Sequence, residues 1–129
     1  MGDLNLDVLD RVYEALAAGD LETVMSFLSA DVAAHVPGNS PVAGHYLGKE
    51  AVAGYVATLA ERSGGTLRFE PHAVMVTGRH GAGLVRDMAE RDGRTLDMNN
   101  VHVWHVVDGT LTELWVYPGD QYAWDEFWS

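Results

Sequence analysis

Two histidines and one aspartate in this chain are placed to move protons. His35 lies between apolar residues and the rigid stretch Pro37-Gly38-Asn39-Ser40-Pro41. An imidazole titrates near neutrality, so it can take a proton from a carbon beside a carbonyl or give one back. His102 could donate a hydrogen bond to a developing enolate oxygen, with Asn100 as a second donor. Asp120 follows Tyr117-Pro118-Gly119, and a carboxyl near Trp115 or Trp124 could serve as acid or base. Each has a plainer reading. His35 could be bonded into the loop backbone, and His102 and Asn100 could be buried polar groups paired with neighbours. Asp120, ahead of Gln121-Tyr122-Ala123-Trp124, reads equally as a helix cap.

The elements that must position these residues follow from periodicity. Leu6, Leu9, Tyr13 and Leu16 recur at helical spacing, with Gly19 as a stop. Asp20 can cap a shorter helix carrying Leu21, Val24 and Leu28. An extended piece runs from Asp31 to Val36 and ends in the Pro37 to Pro41 loop. Gly48 to Arg62 reads as a third helix, with Val52, Tyr55, Val56 and Leu59 on one face. From Thr66 the period becomes two. Strands are expected over Leu67–Thr77, Gly83–Arg91, Thr95–Val107 and Leu111–Tyr117, and Pro71 marks the first as an edge or bulged strand. Asp92-Gly93 and Asp108-Gly109 are strong hairpin signals. Helices ahead of an antiparallel meander make the class α+β. The expected fold is a cone, three N-terminal helices packed over a strongly curved, mostly antiparallel sheet, with a small-molecule site at its open end.

The last hairpin allows a register to be calculated. With a two-residue type I′ turn at Asp108-Gly109, Trp104 faces Glu113, His102 faces Trp115, and Asn100 faces Tyr117. These would share one aromatic and polar face, with Trp104, Trp115 and Tyr117 as cavity wall. The other face would be largely aliphatic (Val101, Val103, Leu114, Val116) and suited to a two-fold dimer. A one-residue bulge would invert the assignment. His105 falls on the face opposite His102, so His102-x-x-His105 is not a chelate. His72 and His80 flank a turn and read as surface residues.

Composition narrows the class. The 129 residues suit one domain, residues 1–129. A net charge of −11 and a pI near 4.7 offer no basic stripe for nucleic acid and no attraction to an anionic membrane. With no cysteine, thiolate metal sites, disulfides and cysteine nucleophiles are excluded. There is no signal-peptide pattern and no apolar run of membrane-spanning length, so the expected compartment is the cytoplasm. No His-Glu-x-x-His, phosphate loop or Gly-x-Ser-x-Gly elbow occurs, so no metal or cofactor is expected.

Several short pieces then fall into a familiar order. They are Ala18-Gly19-Asp20, Ala34-His35-Val36-Pro37-Gly38, Val42-Ala43-Gly44, Gly48-Lys49, Arg91-Asp92-Gly93-Arg94, and Val107-Asp108-Gly109 with Glu113 and Trp115. The tail Asp120 to Trp128 completes them. In this order and spacing, over nearly the whole chain, the sequence resembles the nuclear-transport-factor-2-like superfamily, in its SnoaL-like and ketosteroid-isomerase-like branch. The resemblance implies a proton-shuttling group at His35 and an oxyanion donor at His102. It implies tyrosines at Val12 and Val56, where Tyr13 and Tyr55 are each one residue off, so a true ketosteroid isomerase is not expected. SnoaL-like cyclases would put their acid/base near Asp120. Limonene epoxide hydrolases need an Asp-Arg-Asp set, for which Arg86-Asp87 and Asp97 are raw material.

The function expected is a cofactor-independent acid/base enzyme acting on a small apolar carbonyl or epoxide compound: an isomerase, cyclase or hydrolase. His35, His102 and Asp120 would be catalytic. Asn100, Trp104, Trp115, Tyr117 and Tyr55 would contact the substrate. The alternatives are a non-catalytic binder of a small hydrophobic ligand and a dimeric scaffold. The partners expected are a small hydrophobic molecule and a second copy docked through the sheet face.

Overall fold

Asp3 accepts hydrogen bonds from the backbone N–H groups of Asn5 and Leu6 and so starts α1 (Leu4–Ala18). The structure is a computed structural model and describes residues 3–129. Gly19 ends α1 in the left-handed region, at φ 74°. Asp20 caps α2 (Leu21–Ser26) through the Thr23 N–H. Then follow β1 (Leu28–Val36), β2 (Gly44–Leu47) and α3 (Lys49–Arg62). The strands β3 (Arg68–Thr77), β4 (His80–Arg91), β5 (Arg94–Val107) and β6 (Thr110–Tyr117) make the meander, and α4 (Gln121–Trp128) ends the chain. The class is α+β, as expected. Only α1 and α2 precede the first strand, however. The third helix comes after β2, because β2 closes onto β1 before the chain turns into α3. Periodicity gives no sign of β2, and it starts β1 at Asp31, three residues late.

The six strands form one sheet in the order β2-β1-β6-β5-β4-β3. All neighbours are antiparallel except β1 and β6, which run parallel. Pro71 sits on edge strand β3, where the register shifts before Ala73.

Both Asp-Gly turns form with both residues at positive φ: Asp92 49° and Gly93 78°, Asp108 50° and Gly109 79°. That is the type I′ conformation their sequence favours. From the first, β4 and β5 pair without interruption from Arg91↔Arg94 to His80↔His105. From the second, the pairing holds for Val107↔Thr110 and Val106↔Leu111 and then slips, so that His105 faces Glu113. Thr112 is the extra residue of a bulge. Beyond it every β6 side chain lies on the face opposite to the one calculated. His102 now faces Val116, Trp104 faces Leu114, and Val103 faces Trp115.

All four helices contribute buried residues to one core, which meets the inner face of the sheet: Val85, Val106, Leu111, Leu114 and Val116 are buried there. No helix among the described residues is long and apolar enough to cross a membrane.

Candidate functional site

Alternation along β4 and β5 turns Val85, Asp87, Asn100, His102 and Trp104 to the inner face, and all five are buried. Asp87, His102 and Trp104 meet a cavity of about 70 Å³ walled by helices and sheet. Its lining is apolar (Leu16, Val24, Val52, Leu59, Phe69 and Trp124 among others) apart from Tyr55, Asp87, His102 and Trp104. That volume holds several water molecules.

Asp87 is the carboxyl that this setting alters. It is 2% exposed. Its Oδ2 accepts from Asn100 Nδ2 at 2.9 Å, while its Oδ1 is buried without a hydrogen-bond partner. Burial pushes its pKa up to about 7, against a smaller lowering by the Asn100 bond. Asn100 is in turn fixed by the Gly119 N–H, which donates to its Oδ1 at 2.9 Å.

The second polar group is a relay across the inner face. Tyr13 of α1 places its hydroxyl 3.0 Å from His102 Nδ1 and 2.8 Å from Trp104 Nε1. An indole N–H only donates, so the Tyr13 oxygen accepts from Trp104, and His102 Nδ1 is the one acceptor among the described residues within reach of the tyrosine's own proton. The ring proton of His102 is therefore on Nε2, which has no protein partner among the described residues. Burial lowers the His102 pKa to about 4, so the ring is a neutral donor at pH 7. Tyr13 can come this close because β4 carries Gly83 beneath it. A β-carbon there would overlap the tyrosine ring and hydroxyl. Burial also raises the Tyr13 and Tyr55 hydroxyl pKa values, so both stay protonated.

The residues singled out from sequence divide into three places. His102, Trp104 and Tyr55 line the cavity, and Asn100 stands behind Asp87. His35, Trp115 and Tyr117 lie on the outer face of the sheet, around an open cleft of about 540 Å³ that also takes in Pro37, Gly38 and His45. For Trp115 and Tyr117 the cause is the Thr112 bulge. For His35 it is the alternation of β1, which turns Val32, Ala34 and Val36 inward instead. The outer face, expected to be aliphatic, thus carries a polar group: His35 Nε2 lies 2.6 Å from Glu113 Oε2, and His105 Nδ1 lies 3.5 Å from Glu113 Oε1. Asp120 is exposed and caps α4, its Oδ1 accepting from the Ala123 N–H at 3.1 Å. Trp124, from the same helix, reaches the cavity. Arg86 pairs with Asp97 on the outside at 2.7 Å, so Asp87 shares no site with either.

Sequence reasoning named Asp87 only as raw material for an Asp-Arg-Asp set and not as a lone buried acid, and it missed the contact between Tyr13 and His102. A signal for Asp87 existed. The uninterrupted register from Asp92-Gly93 pairs Asp87 with Met98 and Val85 with Asn100, which puts the acid on the face of Asn100 and His102. Spacing alone does not indicate that Tyr13 reaches His102; the nearest signal was the resemblance, which implies a tyrosine one residue away at Val12 and an oxyanion donor at His102.

Residues 9–114 match the family model described as the SnoaL-like domain. An uncharacterised protein of Mycobacterium tuberculosis is 29% identical over 128 residues, 98% of each chain. Among solved structures, Bal32a from a soil-derived mobile gene cassette superposes with a TM-score of 0.92 at 30% identity. The match covers 98% of this chain and 97% of that one. A protein of unknown function with a cystatin-like fold from Xanthomonas campestris gives 0.91 at 28% identity, over 97% and 98%.

Proposed function

The chain belongs to the SnoaL-like domain family, and from that footing we propose that it is a cofactor-independent acid/base enzyme acting on a small, largely apolar carbonyl compound in the interior cavity. One observation carries the reading: Asp87 is buried with a carboxylate oxygen left free of partners in an otherwise apolar cavity. An unpaired buried carboxylate oxygen is costly to folding. A substrate proton would give that oxygen its missing partner.

In the proposed step, Asp87 Oδ1 takes the proton from the carbon next to the carbonyl. The C–H electron pair becomes a C=C bond and the carbonyl π pair moves onto oxygen. His102 Nε2–H donates to that enolate oxygen, as a neutral imidazole can. Asp87 then returns the proton to a different carbon, which is isomerisation. If the enolate instead attacks a second carbonyl, the result is an aldol-type ring closure and the proton goes to the new alkoxide. Tyr55, Trp104 and Trp124 shape the apolar wall. His35 and Asp120, expected from sequence to be catalytic, lie outside this cavity. A homodimer belongs to the same reading, and light scattering checks it.

A panel of simple compounds is enough for the test. Small cyclic ketones and enones are incubated with the protein in D2O, and exchange at the carbon beside the carbonyl is followed by NMR. Catalysed exchange is expected, falling about 10²-fold or more in Asp87→Asn, as removal of a general base does. Ligands that bind in the cavity without exchange would instead establish a non-catalytic binder. Exchange unchanged in Asp87→Asn would remove Asp87 from the chemistry.

A further inference from the structure

Four of the protein's six histidines stand on the sheet face away from the helices, in two cross-strand pairs. His35 of β1 faces His45 of β2, and His80 of β4 faces His105 of β5. Glu113 of β6 lies between the pairs. An ionised carboxylate only accepts hydrogen bonds. At 2.6 Å from Glu113 Oε2, His35 therefore carries a proton on Nε2. In the neutral ring its Nδ1 then presents a lone pair. That Nδ1 stands 2.7 Å from His45 Nδ1.

A carboxylate holding one imidazole nitrogen while the other points at a shared position is the arrangement that orients metal-bound histidines. The spacing also selects among metals. With metal–nitrogen bonds of about 2.0–2.1 Å, nitrogens 2.7 Å apart subtend roughly a right angle at the ion. Right angles belong to square-planar and octahedral ions, whereas tetrahedral sites spread their ligands wider. Among the described residues no three His, Asp or Glu side chains converge as a metal site. The protein would supply two positions and leave the rest open. Those open positions border the cleft of about 540 Å³ between Pro37, Gly38, Trp115 and Tyr117. The net charge of −11 raises the local concentration of cations.

We propose that His35 Nδ1 and His45 Nδ1 bind one divalent ion of the copper–nickel class, with Glu113 as the positioning residue and the remaining coordination positions open to the outer cleft. The His80–His105 pair is the weaker candidate. Its nitrogens are 3.1 Å apart, its carboxylate contact is 3.5 Å, and it does not border the cleft. This site is separate from the interior cavity, and its standing does not depend on the chemistry proposed there.

The test is calorimetric titration of the chelator-stripped full chain with Ni²⁺ at pH 7.5, together with electron paramagnetic resonance of the Cu²⁺-loaded protein. One ion per chain is expected, with two-nitrogen coupling in the copper spectrum. His45→Ala, an exposed substitution, is expected to weaken binding at least tenfold, and His35→Ala likewise. Glu113→Gln should weaken it about 10–100-fold, the usual cost of losing such a partner. His80→Ala should leave the affinity unchanged. Thermal melts of each variant separate lost ligation from lost folding. No binding below millimolar Ni²⁺ would mean that the facing nitrogens are only a hydrogen bond, and would overturn the site. Equal affinity in His45→Ala, or an equal loss in His80→Ala, would overturn it as well.

Discussion

Trp104 Nε1–H donates to the Tyr13 hydroxyl oxygen at 2.8 Å, which leaves His102 Nδ1, 3.0 Å away, as the acceptor for the tyrosine's own proton. Because the indole can only donate, Tyr13 gives its proton to His102 Nδ1 and holds the ring as the Nε2–H tautomer. Trp104→Phe removes that constraint. Nitrogen-15 shifts of the His102 ring are expected to report a single Nε2–H tautomer in the native protein and a mixture in the variant. A single Nδ1–H tautomer in the native protein would rule out His102 as the oxyanion donor.

The same relay rests on an absent side chain. Gly83→Ala would place a methyl group in the space of the Tyr13 ring. Overpacking of this kind costs about 1–3 kcal/mol. The variant is expected to melt at lower temperature and to lose the Tyr13–His102 contact, while Gly54→Ala on α3, where a β-carbon meets nothing within 4 Å, should not destabilise the fold. Urea denaturation of the two variants side by side checks this.

Asp87 and His102 pull stability in opposite directions with pH. Asp87 is raised from 3.8 to about 7, so the folded protein keeps a proton that the unfolded chain loses, and stability falls as pH rises through that window. His102 is lowered from 6.5 to about 4, so the unfolded chain gains a proton that the folded one refuses, and stability falls as pH drops through that window. At about 1.4 kcal/mol per pKa unit, each is worth roughly 3–5 kcal/mol, and between pH 4 and 7 their slopes nearly cancel. Asp87→Asn should unmask the histidine. Relative to the native protein, the variant is expected to gain stability as pH rises from 4 to 7. Parallel denaturant profiles for the two proteins would show that Asp87 does not titrate as described.

Catalysis should follow the carboxylate. Asp87 acts as a base only when ionised, so kcat/KM for the exchange reaction is expected to climb with pH and level off above about 7. His102, neutral down to about pH 4, adds no break within that range. A rate already level by pH 5 would assign the base to another group.

The hairpins were legible because Asp-Gly demands a backbone that few other dipeptides adopt, and both turns formed as their sequence requires. The β4–β5 register followed from the first turn alone. The β5–β6 register did not follow from the second, because the Thr112 bulge carries no glycine or proline to announce it. Trp115 and Tyr117 therefore lie on the face opposite to the one their spacing from the turn implies. β2 escaped notice because four residues show no period. Tyr13 read as a member of an apolar stripe, one residue off the position where the resemblance implies a tyrosine. Its hydroxyl gains a role only when Gly83, seventy residues away, lets the ring settle against the sheet.

The parallel pairing of β1 with β6 also bears on how the chain reaches this state. Eighty residues separate Ala34 from its partner Leu114, and until β6 arrives β1 has only the four-residue β2 beside it. Closing so long a loop has to precede the contacts that reward it, which slows folding. During synthesis the first three helices would emerge with no completed sheet to cover. β1 would present an unpaired strand edge until β6 clears the ribosome, which makes that interval the one in which the nascent chain is most exposed to misassociation.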